Sequence, residues 1–259
     1  MSYIQELYQL NGKTAVITGG TGVLSQAMAE GLGKAGCRLV LLDINAQNCD
    51  AEVERLRNMD IEVEALVCNV LNRDNIEECA QHIATTRGEP DILINAAGVN
   101  SSTPFFDITE AEYDKIMGVN LKGTFFACQV FGQRIINADK PASIINISSA
   151  SSGPPLSRVC SYSISKAGIN NLTQFLAREW AQKKIRVNAL APGFFPAEQN
   201  RKILTEERVK DIMGHTPMNR FGDPKELIGA VIWLASEKAS SFVTGSIIRV
   251  DGGFSAMTI

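Results

Sequence analysis

The sequence predicts an α/β domain built on one doubly wound, seven-stranded parallel sheet with helices on both faces. Seven short apolar runs alternate with helix-length stretches. Most of the runs are apolar without strict alternation, as strands buried on both faces should be. The first run opens into a glycine cluster that leads straight into a helical pattern.

The elements follow in order along the chain. The first run, 13–18, ends at Gly19-Gly20-Thr21-Gly22. The stretch 23–35 is rich in Ala, Leu and Met and stops at Gly36, a residue suited to close a helix. The second run, 38–43, ends in Asp43, and the third is 62–68. Asp74 with Glu77 three residues on resembles a capping box opening the next helix. The fourth run is 91–96. Residues 109–137 read as one long helical pattern that opens on Thr109 and Glu112 in the same relation. The fifth run is 142–148. In 161–183, Leu172, Phe175, Leu176 and Glu179 fall at i, i+3, i+4 and i+7, so three apolar side chains share a face ahead of a polar one. The sixth run is 185–191. Asp223-Pro224 opens 226–236 with proline at a first helical position. The last run is 246–250. The stretch 194–220 is the weakest in periodicity, and a loop with short helices there is a candidate substrate lid.

Strand and helix alternating throughout mean a parallel sheet. A closed eight-stranded barrel is the competing architecture, but it needs eight comparable units. No linker, charge run or repeat divides the chain, so residues 1–259 are expected to form a single domain.

Composition narrows the function classes. The 25 basic and 28 acidic residues give a net charge of −3. That balance sets up no long-range field for nucleic acid or an anionic membrane. With only His82 and His215, a metal site of several histidines is excluded, and no metal is expected. Six cysteines (37, 49, 68, 79, 128 and 160) show no C-x-x-C and no close pair, and read as packing residues of a reducing compartment. No apolar stretch reaches bilayer length, and residues 1–13 lack the features of a signal peptide. A cytoplasmic protein is expected. His82, in an amphipathic pattern, reads as structural. Cys160 has no neighbouring histidine and reads as packing.

The glycine turn carries the first chemistry. Gly20-x-Gly22-x-x-Ser25 is G-x-G-x-x-G with a small residue in the last place. Such a turn lets backbone approach a pyrophosphate at a helix N-terminus. Its residues Gly19, Gly20, Thr21, Gly22, Val23 and Leu24 are expected to bind a dinucleotide in a Rossmann-type fold. Asp43, 21 residues after Gly22, can accept hydrogen bonds from ribose hydroxyls and repels a 2′-phosphate. No arginine follows in 44–46, so NAD is expected over NADP. The bland alternative for Asp43 is a helix N-cap.

Tyr162 and Lys166 are spaced i, i+4, so phenol and ammonium share a helix face. A cation beside a tyrosine stabilises its phenolate and tunes it for proton transfer.

Together these residues resemble the short-chain dehydrogenase/reductase family, over nearly the whole chain. The markers stand in order: the turn 18–25, Asn95-Ala96-Ala97-Gly98, Asn120, Ser148-Ser149, Tyr162 and Lys166, and Pro192-Gly193. The resemblance implies a Ser-Tyr-Lys-Asn active site. Ser149 would hydrogen-bond the substrate oxygen, with Ser148 beside it positioning backbone. Tyr162 would pass the proton. Lys166 would bind the nicotinamide ribose and lower the tyrosine pKa. Asn120 would interrupt the long helix and hold a water that links Lys166 to solvent. Asn69 and Val70, and Asn95 to Gly98, would line the adenosine side; Pro192, Gly193 and Phe195 would line the nicotinamide pocket. The chain departs from the pattern at Val23 and Ser25, where glycines are common, at Asn69, often Asp, and at Ala197, often a threonine that holds the nicotinamide amide.

Residues 192–201, 215–236 and 251–256 are similar to the sugar-acid branch of the family, of the fructuronate reductase or mannonate oxidoreductase type. That likeness implies a sugar-acid substrate, with Arg158, Arg201 and His215 as candidate partners for its carboxylate beside Ser149 and Tyr162. A polyol or neutral ketose, and a steroid or fatty-acyl ketone, are the other substrate classes. A cofactor-sensing regulator without turnover is the reading from another class, but the full set Asn120, Ser149, Tyr162 and Lys166 argues against it. The family further implies a homotetramer assembled through the helices of 109–137 and 161–183 and the last strand.

Overall fold

A computed structural model describes residues 2–195 and 205–257. All seven expected strands form: β1 (Thr14–Thr18), β2 (Arg38–Asp43), β3 (Val63–Val67), β4 (Ile92–Asn95), β5 (Ala142–Ile147), β6 (Ile185–Pro192) and β7 (Ile247–Val250). They make one parallel sheet in the order β3-β2-β1-β4-β5-β6-β7. β3 and β7 are open edges, so the sheet is not a closed barrel. The chain runs outward from β1 to β3, then returns to place β4 on the other side of β1. A crevice therefore opens at the carboxyl ends of β1 and β4, where ligands bind in doubly wound folds.

Helices α1 (Tyr3–Leu7), α2 (Val23–Lys34), α3 (Ala46–Arg57), α4 (Arg73–Arg87), α5 (Glu110–Met117), α6 (Gly123–Asn137), α7 (Cys160–Trp180), α8 (Glu206–Gly214) and α9 (Ile228–Ala235) connect the strands. Strand residues divide between two cores. Ala15, Ile17, Leu39 and Leu41 pack with Met28 and Leu32 of α2 and Val231 and Leu234 of α9. Val16, Val40, Leu42 and Leu93 pack with Ile76 and Ile83 of α4, Phe131 of α6 and Leu176 of α7. Both faces of the central strands are dry, which is why their sequences do not alternate.

Several local expectations are corrected. Asn72, not Asp74, caps α4: its side chain accepts from the N–H groups of Asp74 and Asn75. An Asx side chain two residues earlier meets the same free helix donors. Thr109 does cap its helix, accepting from Glu112 N. The long pattern is interrupted at Asn120, where the family resemblance places the break, by wider, π-type turns over Gly118–Lys122 with buried Asn120 at their centre. Asp223 and Glu226 form a capping box, yet a 3₁₀ turn over Pro224–Leu227 precedes α9. On α7 the buried side chains include Ile169, Thr173, Leu176 and Ala177, whereas Phe175 is 57% exposed.

Two cysteines distant in sequence meet. Cys79 Sγ donates to Val67 O at 3.8 Å, and the neighbouring Cys79 thiol and burial together push the Cys68 thiol up. Burial pushes Cys37 and Cys128 up to about 12, the behaviour of packing residues. Among the described residues no helix is long and apolar enough to cross a membrane.

Candidate active site

The glycine turn is fixed by steric limits on two sides. Gly19 has φ +63, and a β-carbon there would lie 2.6 Å from Ala97 Cα; one on Gly20 would lie 2.8 Å from Leu41 Cβ. Gly22 caps α2 and is less constrained, since the nearest atom to its β-carbon would be 3.4 Å away. The strict requirement thus falls one residue earlier than the G-x-G pattern suggests. Thr18 Oγ1 accepts from the N–H groups of Ala96 and Ala97 at 3.2 and 3.4 Å, which locks the turn to the exit of β4. Ser25 is buried where helix and strand pack closely. Val23 is 44% exposed at the first position of α2.

Asp43 is held by the turn itself. Its Oδ2 accepts from Thr21 N at 3.1 Å and Thr21 Oγ1 at 2.7 Å, and its Oδ1 from Asn45 N at 3.2 Å. The cap of α3 is Asn45, whose side chain accepts from Asn48 N. The N-cap alternative for Asp43 therefore falls to its neighbour, and the carboxylate remains in the crevice.

α7 presents Tyr162 and Lys166 toward the carboxyl end of β5. Lys166 is 4% exposed, and its Nζ donates to Ile147 O at 2.7 Å and stands 5.5 Å from the Tyr162 ring centre. Burial lowers its pKa to about 8. Burial raises that of Tyr162, and a hydrogen bond from Ser149 opposes the rise. Ser149 sits at the end of the β5 exit with Ser148 buried behind it. Ser148 Oγ donates to Asn170 Oδ1 at 2.6 Å, and its N–H to Leu190 O, in line with a backbone-positioning part.

Asn120 ties the crevice loops to α7. Its Oδ1 accepts from Val99 N at 2.8 Å, and its Nδ2 donates to Val99 O and to Ser165 Oγ, both at 3.0 Å. Ser165 Oγ in turn donates to Tyr162 O at 2.7 Å. Both amide hydrogens of Asn120 are thus used on protein partners. A β-carbon on Gly98 would be 3.4 Å from Asn120 Oδ1 and 3.6 Å from Lys166 Nζ, which brings Gly98 into the same cluster.

Other expected residues sit elsewhere. Asn95 is 1% exposed and faces the sheet interior, where its Nδ2 donates to Asn146 Oδ1 at 2.8 Å. Asn146 donates onward to Thr173 on α7. Asn95 therefore braces β4, β5 and α7 and does not line the adenosine side with its side chain. The carbonyl of Asn69 accepts from Leu71 N in a local turn, and Val70 packs where a β-carbon on Gly123 would lie. At Gly193 a β-carbon would be 2.7 Å from Asp251 Cα, so Pro192-Gly193 abuts the end of β7. The Phe195 ring fills the space in front of Gly222. Phe194 and His215 both stack edge-on against Phe254, at 5.3 and 4.6 Å. Arg158 is exposed with φ +64, and its carbonyl accepts from Thr103 N. Arg201 and Ala197 lie outside the described residues, as does the middle of the expected lid. A cavity of about 810 Å³ opens at the opposite, amino ends of the strands beside Lys13, Asp91 and Arg186, and holds none of these groups.

A family model described as enoyl-(acyl carrier protein) reductase matches residues 22–255. The chain belongs to the short-chain dehydrogenase/reductase family. As a short-chain dehydrogenase/reductase it is an oxidoreductase that works with a nicotinamide cofactor. It is 34% identical to the 5-keto-D-gluconate 5-reductase of Escherichia coli (strain K12), over 96% of this chain and 98% of that one. Its fold is similar to a candidate D-mannonate oxidoreductase from Haemophilus influenzae with bound NAD: TM-score 0.93, 35% identity, covering 98% and 99% of the two chains. It is equally similar to a gluconate 5-dehydrogenase from Burkholderia cenocepacia J2315 in complex with NADP and tartrate: TM-score 0.94, 30% identity, 99% and 100% covered.

The residues present fit such a cofactor. Gly19 and Gly20 keep the turn low, Asp43 stands at the end of β2, and Lys166 keeps donors beyond the one spent on Ile147. Sequence reasoning missed Ser151, which bonds Ser149, Ser165, which bonds Asn120 and the Tyr162 carbonyl, and Asn170, which bonds Ser148 and Ser152; no spacing rule marks them.

The depressed pKa of Lys166 has a measurable sign. Below about pH 8 the ammonium is charged in folded and unfolded chains alike, and its burial costs stability. As pH rises toward the ordinary lysine value, the unfolded chain binds more protons, so folding becomes more favourable. The stability advantage of Lys166→Met over wild type should therefore shrink by about 2 kcal/mol between pH 7.5 and 10. Urea unfolding of both proteins across that range checks it; a constant difference contradicts a depressed ammonium.

Proposed function

We propose that this protein is an NAD-linked reductase and dehydrogenase that interconverts a ketone and a secondary alcohol on a sugar acid. The observation that carries it is a buried ammonium, Lys166, that no described carboxylate neutralises and that stands over the tyrosine ring. A charge so costly to bury is explained by a ligand that uses its free donors, and a cofactor ribose fits. The nicotinamide supplies or accepts the hydride. The chain's own residues handle the proton: Tyr162 donates it to the carbonyl oxygen in reduction and withdraws it in oxidation. With its pKa raised by burial, the phenol is protonated at neutral pH, the form that reduction needs. Ser149 hydrogen-bonds the same oxygen. Asn120 holds the loop at Val99 against α7 and so sets the distance between crevice and phenol.

The sugar-acid class rests on the relatives and on the similarity of residues 192–201, 215–236 and 251–256 to that branch. Arg158 and His215 are the described candidates for the carboxylate. The NAD preference rests on Asp43, pinned at the turn with its charge where a 2′-phosphate would come, and on Ile44-Asn45-Ala46, which bring no arginine. A homotetramer is supported by Phe125 and Phe175, 42% and 57% exposed on α6 and α7, the helices that the family implies at the interface.

Three outcomes are expected. NADH oxidation with a panel of keto acids, uronates and ketoses should be fastest with a keto sugar acid, and Tyr162→Phe should abolish it with NADH affinity within about twofold of wild type; flat traces across the panel with tight NADH binding would favour a cofactor sensor. The kcat/KM with NADPH should be at least tenfold below that with NADH, and equal values sink the preference. Light scattering should give the mass of four chains, and a monomer rules the assembly out.

A further inference from the structure

The chain Ser148-Ser149-Ala150-Ser151-Ser152 closes β5 with four hydroxyls in five residues. Only Ser149 reaches Tyr162, yet the others are not idle. Ser149 is extended, with φ −163 and ψ 157, and caps a 3₁₀ turn over Ala150–Ser152. Its Oγ accepts twice from Ser151: from the N–H at 3.2 Å and from the Oγ at 3.1 Å. A serine hydroxyl has two lone pairs and one hydrogen. With both lone pairs engaged, the hydrogen of Ser149 is what remains to face the phenol.

Ser151 is 1% exposed, so this donor pair is shielded from water. The turn that carries it is clamped by Asn170, two helical turns beyond Tyr162 on α7. Asn170 Oδ1 accepts from Ser148 Oγ at 2.6 Å, and Asn170 Nδ2 donates to Ser152 Oγ at 2.8 Å. Ser152 Oγ donates to Ser149 O at 2.6 Å. One amide thus grips the residues on both sides of Ser149 and ties them to the helix that bears Tyr162 and Lys166.

We propose that Ser151 and Asn170 are positioning residues that make the Ser149 hydroxyl an obligate hydrogen-bond donor, aimed at Tyr162 and at the substrate oxygen beside it. Neither touches substrate or cofactor; Ser151 sets the direction of the hydroxyl and Asn170 its place. Such a donor stabilises negative charge on either oxygen, the phenolate or the alkoxide. It rests on the reading of Ser149 and Tyr162 as the proton-handling pair.

The test follows the Tyr162 phenol directly, in cofactor-free protein. The pH titration of phenolate absorbance is recorded for wild type and for each variant, and the Tyr162 part is isolated by subtracting the same titration with Tyr162→Phe. Lys166, the ammonium over the ring, is kept throughout. Ser151→Ala should raise the Tyr162 midpoint by about half to one pH unit, and Asn170→Val should raise it as well. Ser151→Thr, which restores the hydroxyl, should return it to the wild-type value. Thermal melting of each variant reports loss of structure, which by itself does not move the phenol in a folded protein. In turnover with 5-keto-D-gluconate and NADH, Ser151→Ala should lower kcat about tenfold with KM within twofold. Unchanged midpoints in folded Ser151→Ala and Asn170→Val overturn the proposal. Shifted midpoints in a wild-type protein that reduces no keto acid leave this inference standing and remove the sugar-acid reading.

Discussion

A lysine ammonium buried with no counter-ion among the described residues is the constraint around which this site is arranged. Its desolvation is expensive, and the fold meets only part of that cost with the carbonyl of Ile147. The neighbours of Lys166 enclose it, leaving the residue 4% exposed. Ser148 sits behind it, Gly98 leaves no side chain above it, and Asn120 closes the flank through Val99 and Ser165. The depressed basicity follows from this enclosure, and so does the need for α7 to be held rigidly over the first turns that carry Tyr162.

The parallel sheet supplies the rigidity. The return from β3 to β4 across β1 opens the crevice, and the contact of Gly19 with Ala97 brings both walls to backbone distance. Asn95, Asn146 and Thr173 run a buried polar line from β4 through β5 to α7. A polar network this deep is specified in position by its own hydrogen bonds. It registers the helix bearing Tyr162 against the strand whose end carries Ser149.

Much of this was legible in the sequence, because strands and the glycine turn are local patterns. Seven apolar runs gave seven strands, and Tyr162 and Lys166 met at helical spacing. The failures share a physical origin: they concern which of several chemically similar neighbours is used. Asn72 and Asp74 are both good caps, and only backbone geometry selects Asn72. Phe175 and Leu176 are both apolar, and the rotation of α7 decides which is buried. Asn95 stands in a recognisable motif, but its side chain turns inward to Asn146. Ser151 and Asn170 act through other side chains, Asn170 from about twenty residues away, and nothing in the spacing of polar residues distinguishes them from surface serines and asparagines. Cys68 and Cys79 meet for the same reason, through packing of a loop on a helix.

The separation of tasks between Asp43 and Asn45 has an evolutionary consequence. Asn45 begins α3, while Asp43, two residues earlier, faces the crevice. Helix initiation and the carboxylate at the mouth of the crevice therefore reside on different side chains. A lineage can exchange that carboxylate for a neutral or basic group without unwinding the helix that follows. That modularity suits a family in which close structural neighbours carry NAD in one case and NADP in another.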